Sequence, residues 1–348
     1  MSHTTGLKKA WTGMSYSTRP LPPKSAATQG TGAAAPPSKV TIQTLKKLYK
    51  DNVPISVVTA YDYPSAVLAE NSGIDVILVG DSLAMVALGY KDTSEITLDE
   101  MIHHTKAVSR GAQRPWLVAD LPFGCYHAST EQAILSSVKM VKEGRAEAVK
   151  IEGGKRMARR IEAIVKDVGI PVVGHIGLTP QTAVSLGGFR VQGRTLNGAK
   201  QLVQDALALQ EAGCSLIVLE AMPSPVAESI TNLLDTPTIG IGAGPYTSGQ
   251  VLVFSDMLGM FDRFMPKFCK QYVNMGQQIE QALSTFAKEV QDGEFPKLGQ
   301  HTYNMPPLVE EQWKEFIHNE FGVEPTASST TSSDSINTNK KEPVAEAN

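Results

Sequence analysis

Four short apolar runs in the sequence each end beside an acidic residue. They are Val76–Val79 before Asp81, Trp116–Ala119 before Asp120, Ala148–Ile151 before Glu152, and Leu216–Leu219 before Glu220. Parallel strands that close into a barrel place all their C-terminal ends around one mouth, so these carboxylates are predicted to share a cavity. Clustered carboxylates need a cation, and magnesium prefers oxygen ligands. We predict that Asp81, Asp120 and Glu152 hold it, although any one of them could instead cap the following helix.

Lys150 lies two residues before Glu152, so both side chains project from the same face of one strand. A lysine within so apolar a run is unfavourable unless it is paired. It either neutralises Glu152 or, as a barrel mouth favours, holds an anionic substrate group or a developing enolate. A Schiff base through Lys150 is a third alternative, which a nearby metal would make unnecessary.

Two further ionisable residues stand at predicted strand ends. His175 lies between Gly174 and Ile176-Gly177, where small residues leave room for a ligand, and this position favours a site role over that of a core histidine. Glu220 has apolar neighbours, which predict a raised pKa and the role of general base. Its alternative interpretation is a partner for an arginine such as Arg190.

Eight strands are needed to position these residues, and eight can be counted. We place them at Ser56–Ala60, Val76–Val79, Trp116–Ala119, Ala148–Ile151, Pro171–Gly174, Leu216–Leu219, Thr238–Ile241 and Val251–Phe254. Glycines at 73, 144 and 213 precede three of the acids by seven or eight residues, which predicts a helix end, a tight turn and a buried strand each time. Amphipathic segments separate most of the strands, although the interval after Ile241 is too short for a full helix. The predicted fold class is an α/β protein, a (β/α)8 barrel.

Three other segments have interpretable patterns. The connection 176–198 is long, and because it follows His175 we predict a lid over the mouth. Apolar residues at mixed three- and four-residue spacings predict a long final helix over Lys267–Asp292. Gly240, Gly242 and Gly244 lack the lysine of a P-loop and indicate a close-packed strand end with weak potential to bind an anion.

Composition excludes several classes of protein. The net charge is −3 with 19% charged residues and no basic stripe, so nucleic acid is not an expected partner. No apolar run approaches the length of a membrane span. Cys125, Cys214 and Cys269 are odd in number and lack CxxC spacing, which indicates a reducing compartment and neither disulfides nor structural zinc.

The two ends of the chain differ from its middle. The first 50 residues contain eight Lys or Arg and no acid, typical of an organellar transit peptide and favouring the mitochondrion; an unstructured arm on a cytoplasmic protein is the alternative. We predict a leader over 1–40, a catalytic barrel over 41–305, an extension over 306–324 and a disordered Ser/Thr/Asn-rich tail over 325–348.

The assembled motifs resemble the ketopantoate hydroxymethyltransferase family. Seven motifs carry the resemblance between Thr41 and Tyr303: TAYDY at 59–63, VGDSL at 79–83, ADLPF at 119–123, VKIEGG at 149–154, GHIGLTPQ at 174–181, GGFRVQGR at 187–194 and IGIGAG at 239–244. We know of no other family with all seven in this order. Ala84 and Ser248 depart from the residues common in the family, glycine and aspartate, and bear on loop packing or folate fit.

The resemblance implies a barrel of the phosphoenolpyruvate/pyruvate superfamily and a specific reaction. A hydroxymethyl group passes from 5,10-methylenetetrahydrofolate to 3-methyl-2-oxobutanoate, giving ketopantoate for pantothenate and coenzyme A synthesis. Asp81, Asp120 and Glu152 match the magnesium site. Asp81, Ser82, Asp120 and Lys150 match contacts to the oxo acid, and Glu220 matches the proton acceptor. The family also implies a homo-oligomer, a decamer of two five-fold rings.

Two other functions remain alternatives. One is a magnesium-dependent carbon–carbon lyase of the isocitrate lyase type, which typically adds a reactive cysteine in a lid loop; the 176–198 segment has none. The other is a non-catalytic barrel that serves as a scaffold, although every matched position is filled.

Overall fold

The computed structural model describes residues 38–260 and 265–323, and its centre is a closed barrel of eight parallel strands. The strands are β1 (Ile55–Thr59), β2 (Val76–Val79), β3 (Trp116–Asp120), β4 (Ala148–Glu152), β5 (Val172–Gly177), β6 (Leu216–Glu220), β7 (Thr238–Ile241) and β8 (Gly249–Leu252). Each strand pairs with the next, and β8 pairs with β1. The predicted (β/α)8 barrel is confirmed.

Two predicted strands differ from the structure by more than one residue at a bound. The eighth is predicted at Val251–Phe254 but begins at Gly249, which pairs with both Ile239 and Ile55. A Cβ on Gly249 would lie 2.3 Å from the Ile55 carbonyl oxygen, so the backbones approach more closely than another residue allows. The fifth strand continues through His175 to Gly177 and carries the histidine inside the sheet rather than at its end.

Helices surround the barrel and fill most strand connections. They are α1 (Ile42–Lys50), α2 (Tyr63–Asn71), α3 (Leu83–Val86), α4 (Leu98–Gly111), α5 (Thr130–Lys139), α6 (Ala158–Ala163), α7 (Leu196–Glu211), α8 (Ser224–Leu233), α9 (Phe254–Met257), α10 (Met275–Gln291) and α11 (Pro307–Phe321). Capping boxes at Asp62 and Thr97 satisfy the first amides of α2 and α4. No helix links β7 to β8, as the short interval predicts.

The three glycine turns are only partly as predicted. Gly73 and Gly213 have φ of +74° and +95°, the left-handed conformation that ends a helix. In the third unit it is Arg145, with φ of +66°, that takes this conformation after a π-helical turn over Met140–Gly144. Gly144 is instead a packing residue, because a Cβ there would lie 2.9 Å from the Met140 sulfur.

Two apolar clusters form the core. One lies between the strands and the surrounding helices and includes Met101, Tyr126, Ile151 and Leu209. The other fills the barrel interior from alternate strand positions, which are Val76, Leu78, Trp116, Val118, Ala148, Val173, Leu216 and Val218. Because side chains alternate along a strand, the next inward positions after this layer face the mouth.

The described part of the chain divides into two compact units, with the boundary between Ile279 and Glu280. In the first, the segment predicted as the start of the final helix is not helical before Met275. The amides of Tyr272 and Met275 donate instead to the carbonyls of Met257 and Leu258, each at 2.8 Å. In the second unit α11, which the sequence interpretation treats only as an extension, begins at Pro307, a residue suited to a first helical turn.

The predicted leader over 1–40 lies mostly outside the described residues, and the predicted tail over 325–348 lies entirely outside them. Two residues of the predicted leader are described: Val40 is buried and donates its amide to the Arg114 carbonyl, and the Lys39 ammonium donates to the Pro115 carbonyl at 2.6 Å. Within 38–260 and 265–323, no helix is long and apolar enough to cross a membrane.

Candidate active site

A cavity of about 410 Å³ opens at the C-terminal ends of the strands, and the predicted site residues line it. These are Asp81, Ser82, Asp120, Lys150, Glu152, His175 and Glu220. Five of them occupy inward strand positions directly above the apolar interior, as Asp120 does after Val118 and Glu220 after Val218. Strand register sets Asp120 beside Lys150 and Glu152 beside His175. Gly240, Gly242 and Gly244, to which the sequence assigns a weak potential to bind an anion, do not line the cavity.

Lys150 is paired with Asp120. Its ammonium lies 2.8 Å from Asp120 Oδ1, and both side chains are almost fully buried. The second oxygen of Asp120 accepts the Asp81 amide at 3.0 Å, which fixes the start of the turn after β2. The carboxylate paired with Lys150 is therefore Asp120, where the sequence suggested Glu152.

Gln181 connects Asp81 to Glu152. Its side-chain amide donates to Asp81 Oδ2 at 2.8 Å and to the Leu121 carbonyl at 2.9 Å, and its backbone amide donates to Glu152 Oε2 at 3.1 Å. Tyr126 donates its hydroxyl to Gln181 Oε1 at 2.6 Å. Because Gln181 is buried and bonded at every side, it fixes the spacing of Asp81 and Glu152.

His175 lies between two carboxylates. Its Nε2 is 3.2 Å from Glu220 Oε2, and its Nδ1 is 3.8 Å from Glu152 Oε1. The ring is buried, yet neither nitrogen makes a well-aligned hydrogen bond to another described residue. Glu220 is the more open partner, with 14% of its side chain exposed to the cavity. The partner of Glu220 is thus His175, where the sequence suggested Arg190.

Ser82 belongs to a chain of hydroxyl groups. The Phe254 amide donates to Thr59 Oγ1 at 2.9 Å, and Thr59 donates to the Tyr61 hydroxyl at 2.7 Å. The Tyr61 oxygen lies 3.1 Å from Ser82 Oγ. This chain orients the serine hydroxyl at the cavity wall.

Burial, together with the charges of neighbouring groups, shifts the pKa values of the site residues. Burial, and next the charge of Asp120, raises the pKa of Asp81 to about 7. Burial also raises the pKa of Glu152 well above its usual range, against the opposing effect of Lys150. Burial alone would lower the pKa of Lys150, but the surrounding carboxylates outweigh it and raise that pKa. Lys150 is therefore an ammonium at neutral pH, which counts against the Schiff-base alternative.

The donor set suits a divalent cation that also binds substrate and water. Among the described residues, no three Asp, Glu, His or Cys side chains are grouped closely enough to hold a metal ion by themselves. Magnesium usually takes one or two protein carboxylates and completes its shell with water and substrate oxygens. Asp81 and Asp120, joined by a hydrogen bond, fit that role. Gln181 bonds one oxygen of Asp81 and one oxygen of Glu152.

The predicted lid lines the cavity and is joined to the end of β6. Residues 180–186 form a 3₁₀ segment, and Phe189, Arg190 and Val191 follow on the cavity wall. The Gln192 amide donates to the Ala221 carbonyl at 2.9 Å. Ala221 has φ of +46°, a left-handed conformation that costs a non-glycine residue about 1–2 kcal/mol, and its own amide is held by Ile241.

Sequence reasoning missed Gln181, Tyr126 and Asp256 as parts of the site. Gln181 stands in the GHIGLTPQ motif, but an amide in a loop has no periodic signal. Asp256 lies on α9 at the cavity wall, and burial raises its pKa to about 6. Of the two departures from the family, Ser248 accepts the Thr238 amide at the start of β7, at the end of the barrel away from the mouth.

Comparison with known proteins gives a consistent result. The family model described as ketopantoate hydroxymethyltransferase matches residues 39–298. The 3-methyl-2-oxobutanoate hydroxymethyltransferase of Heliobacterium modesticaldum is 55% identical over 77% of this chain and 96% of its own length. That of Emericella nidulans is 53% identical over 82% and 81%. A relative from Oryza sativa subsp. japonica named as mitochondrial is 52% identical over 74% and 72%.

Solved structures show the same barrel in distant proteins. A 2,3-dimethylmalate lyase of the PEP mutase/isocitrate lyase superfamily has a TM-score of 0.50 at 16% identity, covering 81% of this chain and all of that one. A phosphonopyruvate hydrolase has a TM-score of 0.50 at 12% identity, covering 81% and 99%. At such identities the likeness concerns the fold alone.

Proposed function

Because this chain belongs to the ketopantoate hydroxymethyltransferase family, we propose that it transfers a hydroxymethyl group from 5,10-methylenetetrahydrofolate to 3-methyl-2-oxobutanoate. The C3–H bond of the oxo acid breaks and a bond from C3 to the methylene carbon forms. The carbon–nitrogen bonds to folate break, and water supplies the hydroxyl oxygen. The products are ketopantoate, a precursor of pantothenate and coenzyme A, and tetrahydrofolate.

The observation that carries the proposal is that one cavity holds two separate groups of ionisable side chains. Lys150 with Asp120 and Asp81 forms a charged anchor, and Glu220 with His175 forms a separate pair suited to proton transfer. Removal of a proton next to a carbonyl requires both a base and a group that stabilises the enolate oxygen.

Asp81 and Asp120 are the proposed magnesium ligands, with Glu152 acting through water. When bound, magnesium would polarise the keto group and stabilise the enolate charge. Three buried carboxylates share the single ammonium of Lys150, which supports this assignment because a divalent cation would balance the excess negative charge.

Lys150 and Ser82 bind and orient the oxo acid. The ammonium of Lys150 reaches the cavity while it is paired with Asp120, so it offers its remaining donors to the oxygens of an anionic substrate. Ser82 offers a hydroxyl oriented by Tyr61.

Glu220 accepts the C3 proton. It is the strand-end acid with the largest exposure to the cavity, and its Oε2 lies 3.2 Å from His175 Nε2. The imidazole steadies this carboxylate and offers a route for the proton onward, with Glu152 on the ring's other side. Bulk water would reprotonate the enolate, which gives the lid over residues 176–198 a function.

The cellular setting is also proposed by analogy with relatives. The acid-free basic leader and the rice relative named as mitochondrial support import into the mitochondrion. The family resemblance supports a homo-oligomer, namely a decamer of identical subunits that act on small-molecule substrates.

Purified chain with 3-methyl-2-oxobutanoate, methylenetetrahydrofolate and magnesium tests the reaction, with ketopantoate as the readout. Glu220→Gln should lower kcat by roughly a hundredfold or more while substrate binding persists. Exchange of the C3 proton with deuterated water, measured without folate, isolates enolisation. A Glu220→Gln variant that exchanges at the wild-type rate would rule Glu220 out as the base and point to His175.

A further inference from the structure

The cavity has two regions of opposite character. Its floor holds four buried or nearly buried carboxylates and Lys150. Its rim, defined here as Phe189, Arg190, Val191, Lys267 and Phe268, is exposed and carries two cations. The floor suits a metal ion and a small oxo acid. The rim therefore suits a larger ligand that is apolar over part of its length and also carries negative charge.

Two aromatic rings on the rim are left open to solvent. Phe189 is 57% exposed and Phe268 is 40% exposed, although both line the cavity. Phe268 packs against the backbone of Gly242, where a Cβ would lie 2.6 Å from its ring. A glycine of the IGIGAG motif thus makes room for this ring. Exposed aromatic faces within a functional cavity are suited to stacking on a flat ligand.

The two rim cations are unpaired within the described part of the chain. Neither Arg190 nor Lys267 forms an ion pair with a described residue, although several other surface cations do. Arg190 lies over Gly187, with its guanidinium carbon 3.8 Å from where a Cβ would be. Its place in the lid is supported by the Gln192 side-chain amide, which donates to the Arg190 carbonyl at 2.9 Å.

We propose that the rim is the subsite for the folate co-substrate: Phe189 and Phe268 stack on its flat rings, and Arg190 and Lys267 bind the carboxylates of its glutamate tail. This assignment rests on the proposed function. The methylene carbon lies between the two ring systems of folate and must reach C3 of an oxo acid on the floor. One end of the molecule therefore extends outward, and the glutamate is the terminal group beyond the aminobenzoyl ring.

Direct binding tests the assignment without turnover. Calorimetry with magnesium and 3-methyl-2-oxobutanoate present would compare tetrahydrofolate with tetrahydropteroate, which lacks the glutamate. We expect the wild type to bind tetrahydrofolate roughly tenfold more tightly, as charge-assisted hydrogen bonds to the tail would provide. The Arg190→Gln/Lys267→Gln variant should bind both equally. The matched control, Arg194→Gln/Lys270→Gln, alters exposed cations of the same two segments outside the cavity and should keep the preference.

A second pair of variants tests the rings. Phe189→Ala and Phe268→Ala should each weaken both ligands by the same factor, roughly tenfold for one stacked ring. A wild type that does not distinguish the two ligands, or a charge variant that keeps the preference, overturns the rim assignment. Failure of the proposed function has a different signature, since glutamate-dependent binding would then persist while no ketopantoate forms.

Discussion

Gln181 shows how much a single neutral side chain can organise in a charged site. It contacts an acid on β4 through its backbone and an acid after β2 through its side chain, and Tyr126 fixes which way its amide points. A carboxylate in its place would add a further negative charge to a site in which acidic groups already outnumber the one ammonium of Lys150. The amide satisfies the acids without changing the net charge.

Gln181→Met should therefore weaken magnesium binding while the methionine side chain still fills the volume of the glutamine. Methionine has similar length but cannot donate to Asp81 or to the Leu121 carbonyl. Loss of a hydrogen bond that orients a ligand typically costs 10- to 100-fold in metal affinity. Calorimetric titration of magnesium in the presence of oxo acid measures it, with Tyr126→Phe as a milder companion. An unchanged magnesium affinity in Gln181→Met would show that this amide does not position Asp81.

Asp120 must be substituted with its partner in mind. Asp120→Ala leaves the buried ammonium of Lys150 without its counter-charge, which costs about 3–5 kcal/mol of unfolding free energy. Asp120→Asn keeps an oxygen for Lys150 and should fold better than the alanine variant, yet lose magnesium-dependent binding of the oxo acid. Urea unfolding and calorimetry separate the two effects. Oxo acid that still binds to Asp120→Asn in a magnesium-dependent way contradicts the ligand assignment.

At the scale of elements, the ends of β5 and β6 approach unusually closely. Gly177 pairs with Glu220, and a Cβ on Gly177 would lie 2.1 Å from the Glu220 carbonyl oxygen. The Leu178 amide donates to that same carbonyl at 2.9 Å. The position of the proposed base thus depends on a glycine in the neighbouring strand.

Gly177→Ala should destabilise the barrel more than Gly188→Ala, its matched control. The two glycines have nearly equal φ, +98° and +101°, but nothing lies within 4 Å of a Cβ on Gly188. The control therefore reports backbone strain alone, about 1–2 kcal/mol, and the difference reports the clash. Thermal unfolding of the two variants gives the comparison. Equal losses would mean that the strands separate at little cost.

The same elements show what sequence can and cannot predict. Buried parallel strands produce continuous apolar runs, so β2, β6 and β7 were predictable to within a residue. The partners of the site residues were not, because they depend on contacts between distant segments. Gln181 lies 100 residues from Asp81, and the sequence offered Arg190 for Glu220 where the fold supplies His175. The start of α10 was also wrong, since the preceding backbone bonds to the end of α9.

At the scale of the whole molecule, the barrel begins before its first helix. Lys39 and Val40 contact Pro115 and Arg114 at the start of β3, which places them with the folded domain. The family match also begins at residue 39. A leader, if it is removed, should be cut before these residues.

Deletion of residues 1–38 should leave activity in solution unchanged and keep the protein in the cytosol, because the basic, acid-free segment is gone. Deletion of residues 1–40 is the informative comparison, since it also removes the buried Val40 and should lower the unfolding temperature. Fluorescent fusions and thermal unfolding measure the two effects. Mitochondrial import of the shorter deletion would refute the transit-peptide assignment.

The hydrogen bond from Gln192 to Ala221 has a consequence for inhibition. Ala221 follows Glu220 directly, and its amide donates to the Ile241 carbonyl, so displacement of the lid should strain the residue next to the proposed proton acceptor. A compound that binds beneath residues 189–192 would therefore displace the Glu220 carboxylate without occupying the oxo acid pocket. We expect such a compound to depress turnover at saturating oxo acid, a noncompetitive profile that accumulation of substrate in the cell would not relieve.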